Sequence, residues 1–210
     1  MEHPTGKIPE KVVLVGLGPT KVDFFDVLAS PDAHNIVDYD EVWGVNAAIN
    51  CLPVDVSFAM DDYMVCKGRN NYMTRLYEET DKPIITSIPR PTCKTAVEYP
   101  LLEVLKLPRI HERALNHTAA YIVAYAIVLG VKELVIFGCD YIDPSSPYNT
   151  NKSVDHRARY MGGMGYWIGY ASAMGTTVAI SPNSPLLDAD KSTSEIFYGY
   201  LVKPIIKRED

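Results

Sequence analysis

A chain of 210 residues is long enough to bury one full hydrophobic core, and one domain is the default expectation. Hydrophobic residues at 47% and charged residues at 22% are the balance of a soluble globular protein and exclude a disordered one. The formal net charge of -6 argues against a non-specific binder of phosphate backbones. The longest apolar run, Ala119 to Val131, is too short to span a bilayer. The opening residues MEHPTGKIPEK hold no apolar stretch of a secretory signal, so a cytoplasmic location is expected. Cys51, Cys66, Cys93 and Cys139 are scattered without a C-x-x-C pair, and are expected to be free, mostly buried thiols.

In chain order, Met1 to Glu10 read as a lead-in and Lys11 to Val15 as a strand. Gly16-Leu17-Gly18-Pro19-Thr20 is a tight turn after it, and Thr20 is a candidate N-cap for a helix over Val22 to Leu28. A turn and a strand follow from Asp38 to Asn46. A third strand, Val54 to Met60, runs into Asp61-Asp62. An exposed helix is predicted over Asn70 to Thr80 and a fourth strand over Lys82 to Ser87. The proline-punctuated stretch from Pro89 to Pro108 shows no clear period.

The next stretch organises the chain. His117 to Leu129 is apolar on every face, and a helix of that kind must be buried. Glu133 to Phe137 then reads as a buried strand of a parallel sheet, ending at Gly138, Cys139 and Asp140. A polar loop from Ile142 to His156 carries Tyr148 and His156. Gly162, Gly163, Gly165 and Gly169 each weaken a helix by about 1 kcal/mol relative to alanine. The following helix is therefore placed late, from Met164 to Ala173. Thr176 to Ile180 is another strand, followed by Ser181-Pro182-Asn183-Ser184-Pro185. Ser192 to Leu201 reads as a last helix, and residues 203–210 are peripheral. Strands alternating with helices, without repeats or a linker, predict an α/β fold: a single Rossmann-like domain over residues 1–210, with a mainly parallel central sheet flanked by helices.

In such sheets ligands bind outside the carboxyl ends of the strands. Those ends carry the Gly16–Thr20 turn, Asn46, Asp61, Asp62, Asp140 and Asn183-Ser184. The glycines of the turn allow close approach of a ligand, and a helix start favours an anion. The third glycine of a G-x-G-x-x-G is absent, Lys21 standing in its place, so a plain βα turn is the other reading. Each polar residue alone reads equally well as a cap or turn residue. Asp38-Tyr39-Asp40 precedes a strand and so lies on the opposite rim. Asp188-Ala189-Asp190 lies downstream of the proline-rich turn. Asp61-Asp62 is the better placed pair for Mg²⁺. Among the histidines, His3 and His34 read as surface residues. His111 lies in the stretch without a period, and His117 opens the buried helix as a cap or site residue. His156 suits a general base, against a loop histidine bonded to backbone.

Six segments in order resemble the bacterial lipooligosaccharide sialyltransferases, and in part the motility-accessory-factor glycosyltransferases and archaeal hydroxymethylpterin pyrophosphokinases. They are VVLVGLGPT, VWGVN ending at Asn46, HTAAYIVAYAIVLGVKELVIFGCDY, Tyr148, His156 and AISPNSPLL. The resemblance covers most of Lys11 to Leu187. It implies a GT-A-like nucleotide-binding domain that uses CMP-activated sugars and requires no metal cofactor. It implies donor contacts from Gly16, Gly18, Pro19, Thr20, Asn46, Asp61, Thr118, Asp140, Asn183 and Ser184. Tyr148, with Tyr141, would face the leaving phosphate, and His156 would be the base. The chain departs from the pattern at Leu17, where the family has an asparagine, and at Leu115, where it has an arginine. Its loop between Tyr148 and His156 is also shorter.

The expected function is transfer of a sugar from a nucleotide-activated donor, CMP-linked or other, to a hydroxyl acceptor. That acceptor is a glycan, a protein or a modified nucleic-acid base, and a homo-oligomer is left open. The alternatives are Mg²⁺-dependent phosphoryl or pyrophosphoryl transfer from ATP, with Asp61 or Asp62 on the metal, and a non-catalytic nucleotide-binding protein.

Overall fold

The computed structural model describes residues 2–29, 38–61, 77–141 and 151–186, without the side chains of residues 151–156. Its strands are β1 Lys11–Val15, β2 Glu41–Val45, β3 Val56–Ala59, β4 Ile84–Thr86, β5 Ala96–Glu98, β6 Glu133–Phe137 and β7 Thr177–Ile180. They form one sheet in the order β5-β4-β3-β2-β1-β6-β7. Every pairing is parallel. The helices are α1 Lys21–Ala29, α2 Leu101–Leu105, α3 Thr118–Leu129 and α4 Asn151–Ala173.

The centre of the sheet is buried on both sides, as its near-continuous apolar strands require. In β1 the side chains alternate between two cores. Val12 and Leu14 join Trp43, Phe58 and the residues of α3 and α4 on one face. Val13 and Val15 join Phe24 of α1, Val42 and Phe137 on the other. Ten residues of α3 are buried, from Thr118 through Leu129, as its all-round apolar sequence predicts. The helix stops at Gly130, whose φ of 79° suits only a residue without a Cβ. The amides of Gly130 and Val131 return to the carbonyls of Ile127 and Ala126, which satisfies the helix end in a Schellman pattern.

Two expectations are corrected, and one stretch without an assignment gains structure. The helix expected from Met164 begins at Asn151, so His156 lies within α4 and not in a preceding loop. The helix survives its glycines because Met164, Trp167, Ile168 and Ala171 recur at helical spacing and are all buried. The stretch after Pro89 yields an edge strand, β5, and the short helix α2. A strand of three residues and a helix of five leave too few turns to show a period. His3 is not a surface residue but is 2% exposed. The helix predicted over Ser192 to Leu201 lies outside the described residues, as does most of that over Asn70 to Thr80.

His3 closes a polar cluster at the amino rim of the sheet. Its ring bonds the Tyr125 hydroxyl at 2.9 Å and Glu41 Oε2 at 2.8 Å. Trp43 Nε1 donates to the same oxygen at 2.7 Å and Thr5 Oγ1 to Oε1 at 2.6 Å. Burial alone would raise the Glu41 carboxyl, but the bonds from His3, Thr5 and Trp43 outweigh it and hold it below its ordinary 4.5. A depressed carboxyl stabilises the fold above its unfolded pKa and loses that contribution as pH falls through the folded one. Denaturant unfolding of the wild type is therefore expected to weaken below pH 4.5, and Glu41→Gln to flatten that limb. An unchanged acid limb in Glu41→Gln would contradict this.

On the same rim, Asp40 accepts the amides of Glu10 and Lys11 at 2.8 and 3.0 Å. Half of the first D-x-D pair is thus a turn residue.

Candidate functional site

The strand order places the functional rim. From β1 the chain moves outward through β2 to β5, then returns to lay β6 on the other side of β1. The connections diverge between β1 and β6, and parallel sheets open a crevice at such a switch point. The segments leaving these two strands are Gly16–Thr20 and Gly138–Tyr141. Their backbones meet. Gly18 N–H donates to the Gly138 carbonyl at 2.7 Å, and Gly16 N–H donates to Phe137 at 2.9 Å. A Cβ on Gly18 would lie 2.7 Å from both Asp140 Oδ2 and the Gly138 oxygen. A Cβ on Gly16 would collide with the Gly138 carbonyl. The G-x-G of the turn is therefore required by the crossing of two loops.

Asp140 locks this crossing and is 1% exposed. Its Oδ2 accepts Thr20 N–H at 2.7 Å. Its Oδ1 accepts the Thr20 hydroxyl at 2.6 Å and the Ser184 hydroxyl at 2.8 Å. Thr20 Oγ1 in turn accepts Gly138 N–H at 2.9 Å. Thr20 immediately precedes α1, where an N-cap was expected, but its hydroxyl serves the β1–β6 crossing instead. The anion at the start of α1 is internal, supplied by Asp140. The segment after β7 completes the wall. The Ser181 hydroxyl donates to Asp23 Oδ2, and Asn183 Nδ2 donates to Asp23 Oδ1 at 3.0 Å. Gly16, Gly18, Thr20, Asp140, Asn183 and Ser184 are thus brought to one rim; Pro19 is exposed beside them.

A second group stands where β2 ends beside the start of α3. Thr118 Oγ1 donates to Asn46 Oδ1 at 3.3 Å, and Ser57 Oγ donates to the Asn46 carbonyl at 3.2 Å. Asn46 has φ 49° and Tyr141 φ 53°. Asparagine tolerates the left-handed region, whereas a tyrosine there is strained, and such residues gather at functional sites. Tyr141 packs edge-on against His117, with ring centroids 4.9 Å apart, and His117 also meets Tyr160 at 5.3 Å. Burial raises the Tyr141 hydroxyl well above its ordinary pKa, so it is a hydrogen-bond donor rather than a phenolate. Since Tyr141 directly follows Asp140, the two groups are contiguous.

Asp61 is exposed just beyond β3, on the same rim. Among the described residues no group of three or more histidine, cysteine, aspartate or glutamate side chains is gathered as a metal site. Asp62, Tyr148 and the Asp188-Ala189-Asp190 motif lie outside the described residues, as does the His156 side chain. The described backbone places His156 in the first turns of α4. α4 leaves the carboxyl rim after β6 and returns the chain to the amino rim at β7, so its first turns lie toward the site. Cys51, Cys93 and Cys139 are free thiols, as expected; Cys66 lies outside the description. No helix among the described residues is long and apolar enough to cross a membrane.

Sequence reasoning gave no role to Asn116, Asp23 or Tyr160. Asn116 carried a signal in its position two residues before an apolar helix, beside a histidine. Asp23 and Tyr160 carried none, because their partners are distant in sequence.

No family model and no curated protein matches the chain. Solved structures do. The sialyltransferase CstII from Campylobacter jejuni in complex with cytidine-5'-monophosphate is 14% identical with a TM-score of 0.48, over 83% of this chain and 81% of that one. The same protein with CMP-3FNeuAc is 16% identical with a TM-score of 0.49, over 83% and 82%. The MAf glycosyltransferase from Magnetospirillum magneticum AMB-1 is 15% identical with a TM-score of 0.52. That match covers 81% of this chain but 33% of the MAf chain, so this chain spans about a third of it. The expected parallel α/β fold is borne out by the all-parallel sheet and is shared with the MAf structure.

Proposed function

We propose that the protein is a glycosyltransferase that moves a sugar from a nucleotide-activated donor to a hydroxyl acceptor. The observation that carries this reading is the Thr118–Asn46 pair at the switch-point rim, beside a His117 ring on which a strained Tyr141 packs, on a fold shared with the MAf glycosyltransferase. The Gly16–Thr20 turn, locked by Asp140 and Ser184, forms the rigid floor. Asn46 and Thr118 hold the nucleotide, with Gly16, Gly18 and Pro19 beneath it and Asn183 at the edge. Tyr141 and Tyr148 donate to the departing phosphate and offset the charge that develops there. His156 takes the proton of the acceptor hydroxyl. The CMP preference rests on the motif resemblance alone, and the acceptor is a glycan, a protein or a modified nucleic-acid base.

The test is CMP release from CMP-N-acetylneuraminic acid, and UDP or GDP release from UDP- and GDP-sugars, in EDTA with a glycan acceptor mixture. Release from one donor that survives EDTA supports the reading. Turnover confined to ATP with Mg²⁺ would replace it with phosphoryl transfer, in which Asp61 or Asp62 holds the metal.

A further inference from the structure

The tautomer of His117 can be read from its partners. Asn116 Nδ2 donates to the Arg159 carbonyl of α4 at 3.1 Å. The opposite amide orientation would set two oxygens against each other, so Oδ1 is the atom that faces His117 Nδ1, at 2.6 Å. A carbonyl oxygen has no proton to give, so Nδ1 carries the hydrogen and Nε2 the lone pair. That Nε2 is buried without a hydrogen-bond partner among the described residues. The arrangement is built for its place. A Cβ on Gly163 would fall 2.5 Å from Asn116 Oδ1 and 2.9 Å from Nδ2, so glycine at this helical position lets the amide insert. Burial holds the His117 pKa down to about 4, which keeps the imidazole neutral.

Native proteins rarely leave a buried acceptor unmet, and a lone pair oriented by a second side chain is the mark of a group awaiting a donor. The His117 ring packs against the rings of Tyr141 and Tyr160, of which Tyr141 is strained and follows Asp140 on the rim. Thr118, the residue after His117, bonds Asn46. With the nucleotide on Asn46 and Thr118 and its phosphate against Tyr141, as proposed above, the group beside His117 is the sugar attached to that phosphate. We infer that His117 Nε2 accepts a hydrogen bond from a hydroxyl of the donor sugar, with Asn116 as the positioning residue that fixes its tautomer. This rests on the glycosyltransferase reading and gives that site a sugar-contacting residue.

Calorimetry of CMP-N-acetylneuraminic acid, UDP-N-acetylglucosamine and GDP-mannose, each beside its free nucleotide, tests it on wild type, His117→Phe and His117→Gln. With the donor that binds, His117→Phe is expected to weaken the nucleotide sugar about tenfold and leave the nucleotide unchanged. His117→Gln, which keeps an acceptor near the Nε2 position, is expected to recover most of the loss. Should His117→Phe fail to fold, nitrogen NMR of the wild type decides. Nε2 is expected to be unprotonated, and to shift on addition of the nucleotide sugar but not of the nucleotide. Equal donor binding by His117→Phe, or an unmoved Nε2 in saturated wild type, overturns this inference alone. Binding of none of the three donors by wild type overturns the glycosyltransferase reading, and this inference with it.

Discussion

Asp140→Ala is expected to destabilise the protein by on the order of 3–5 kcal/mol, a large part of the ~5–15 kcal/mol that holds a typical domain. The carboxylate receives three hydrogen bonds in a fully buried place: the Thr20 amide, the Thr20 hydroxyl and the Ser184 hydroxyl. Removing it strands all three donors, and the backbone amide of Thr20 cannot turn elsewhere. The bond from Gly138 N–H to Thr20 Oγ1 loses its anchor as well. For a chain of this length the loss corresponds to a fall of roughly 6–20 °C in Tm. Thr20→Val is expected to be less severe, because the backbone amide still reaches Asp140. The double variant should fall short of the sum, since both changes empty the same network. Thermal and urea unfolding of the three variants measure this. A Tm of Asp140→Ala within a degree of wild type would show that the crossing of the β1 and β6 loops is held by something else.

His156→Ala carries the largest expected effect on activity. Loss of a positioned general base lowers turnover about 10²–10⁴-fold. On the proposed reading the Gly16–Thr20 turn, Asn46 and Thr118 hold the nucleotide, so its affinity should stay within about twofold of wild type. Steady-state transfer and nucleotide titration on the same preparation separate the two quantities. If turnover and affinity fall together, His156 is part of the binding wall and the base must be sought elsewhere.

The legible part of the fold was the part fixed by local pattern. KVVLV, ELVIF and the uncharged stretch to Leu129 could only be buried, and they form the centre of the sheet and the helix that covers it. The Gly130 stop was equally local. The illegible part depends on partners far along the chain. Nothing in the lead-in MEHPTGKIPEK shows that His3 will meet Tyr125 and Glu41, 122 and 38 residues away. The glycines of α4 read as breakers, because what Gly163 makes room for is the Asn116 side chain on another element. The candidate site divides in the same way. Thr20, Asn46 and Asp140 could be placed on one rim by counting strand ends. Their pairing could not: Asp140 as the internal anion of α1, and Thr118 on Asn46, are products of the strand order. Leu17, where the resembled family has an asparagine, is 43% exposed.

The most direct test of the account is a thermal-shift panel of CMP, UDP, GDP and ATP, each with and without Mg²⁺. A ligand at about a hundred times its Kd stabilises the folded state by about 2.7 kcal/mol, a shift of roughly 5–11 °C for a chain of this length. The account predicts that CMP gives such a shift and that EDTA leaves it unchanged. A shift seen with ATP and Mg²⁺ alone would contradict it.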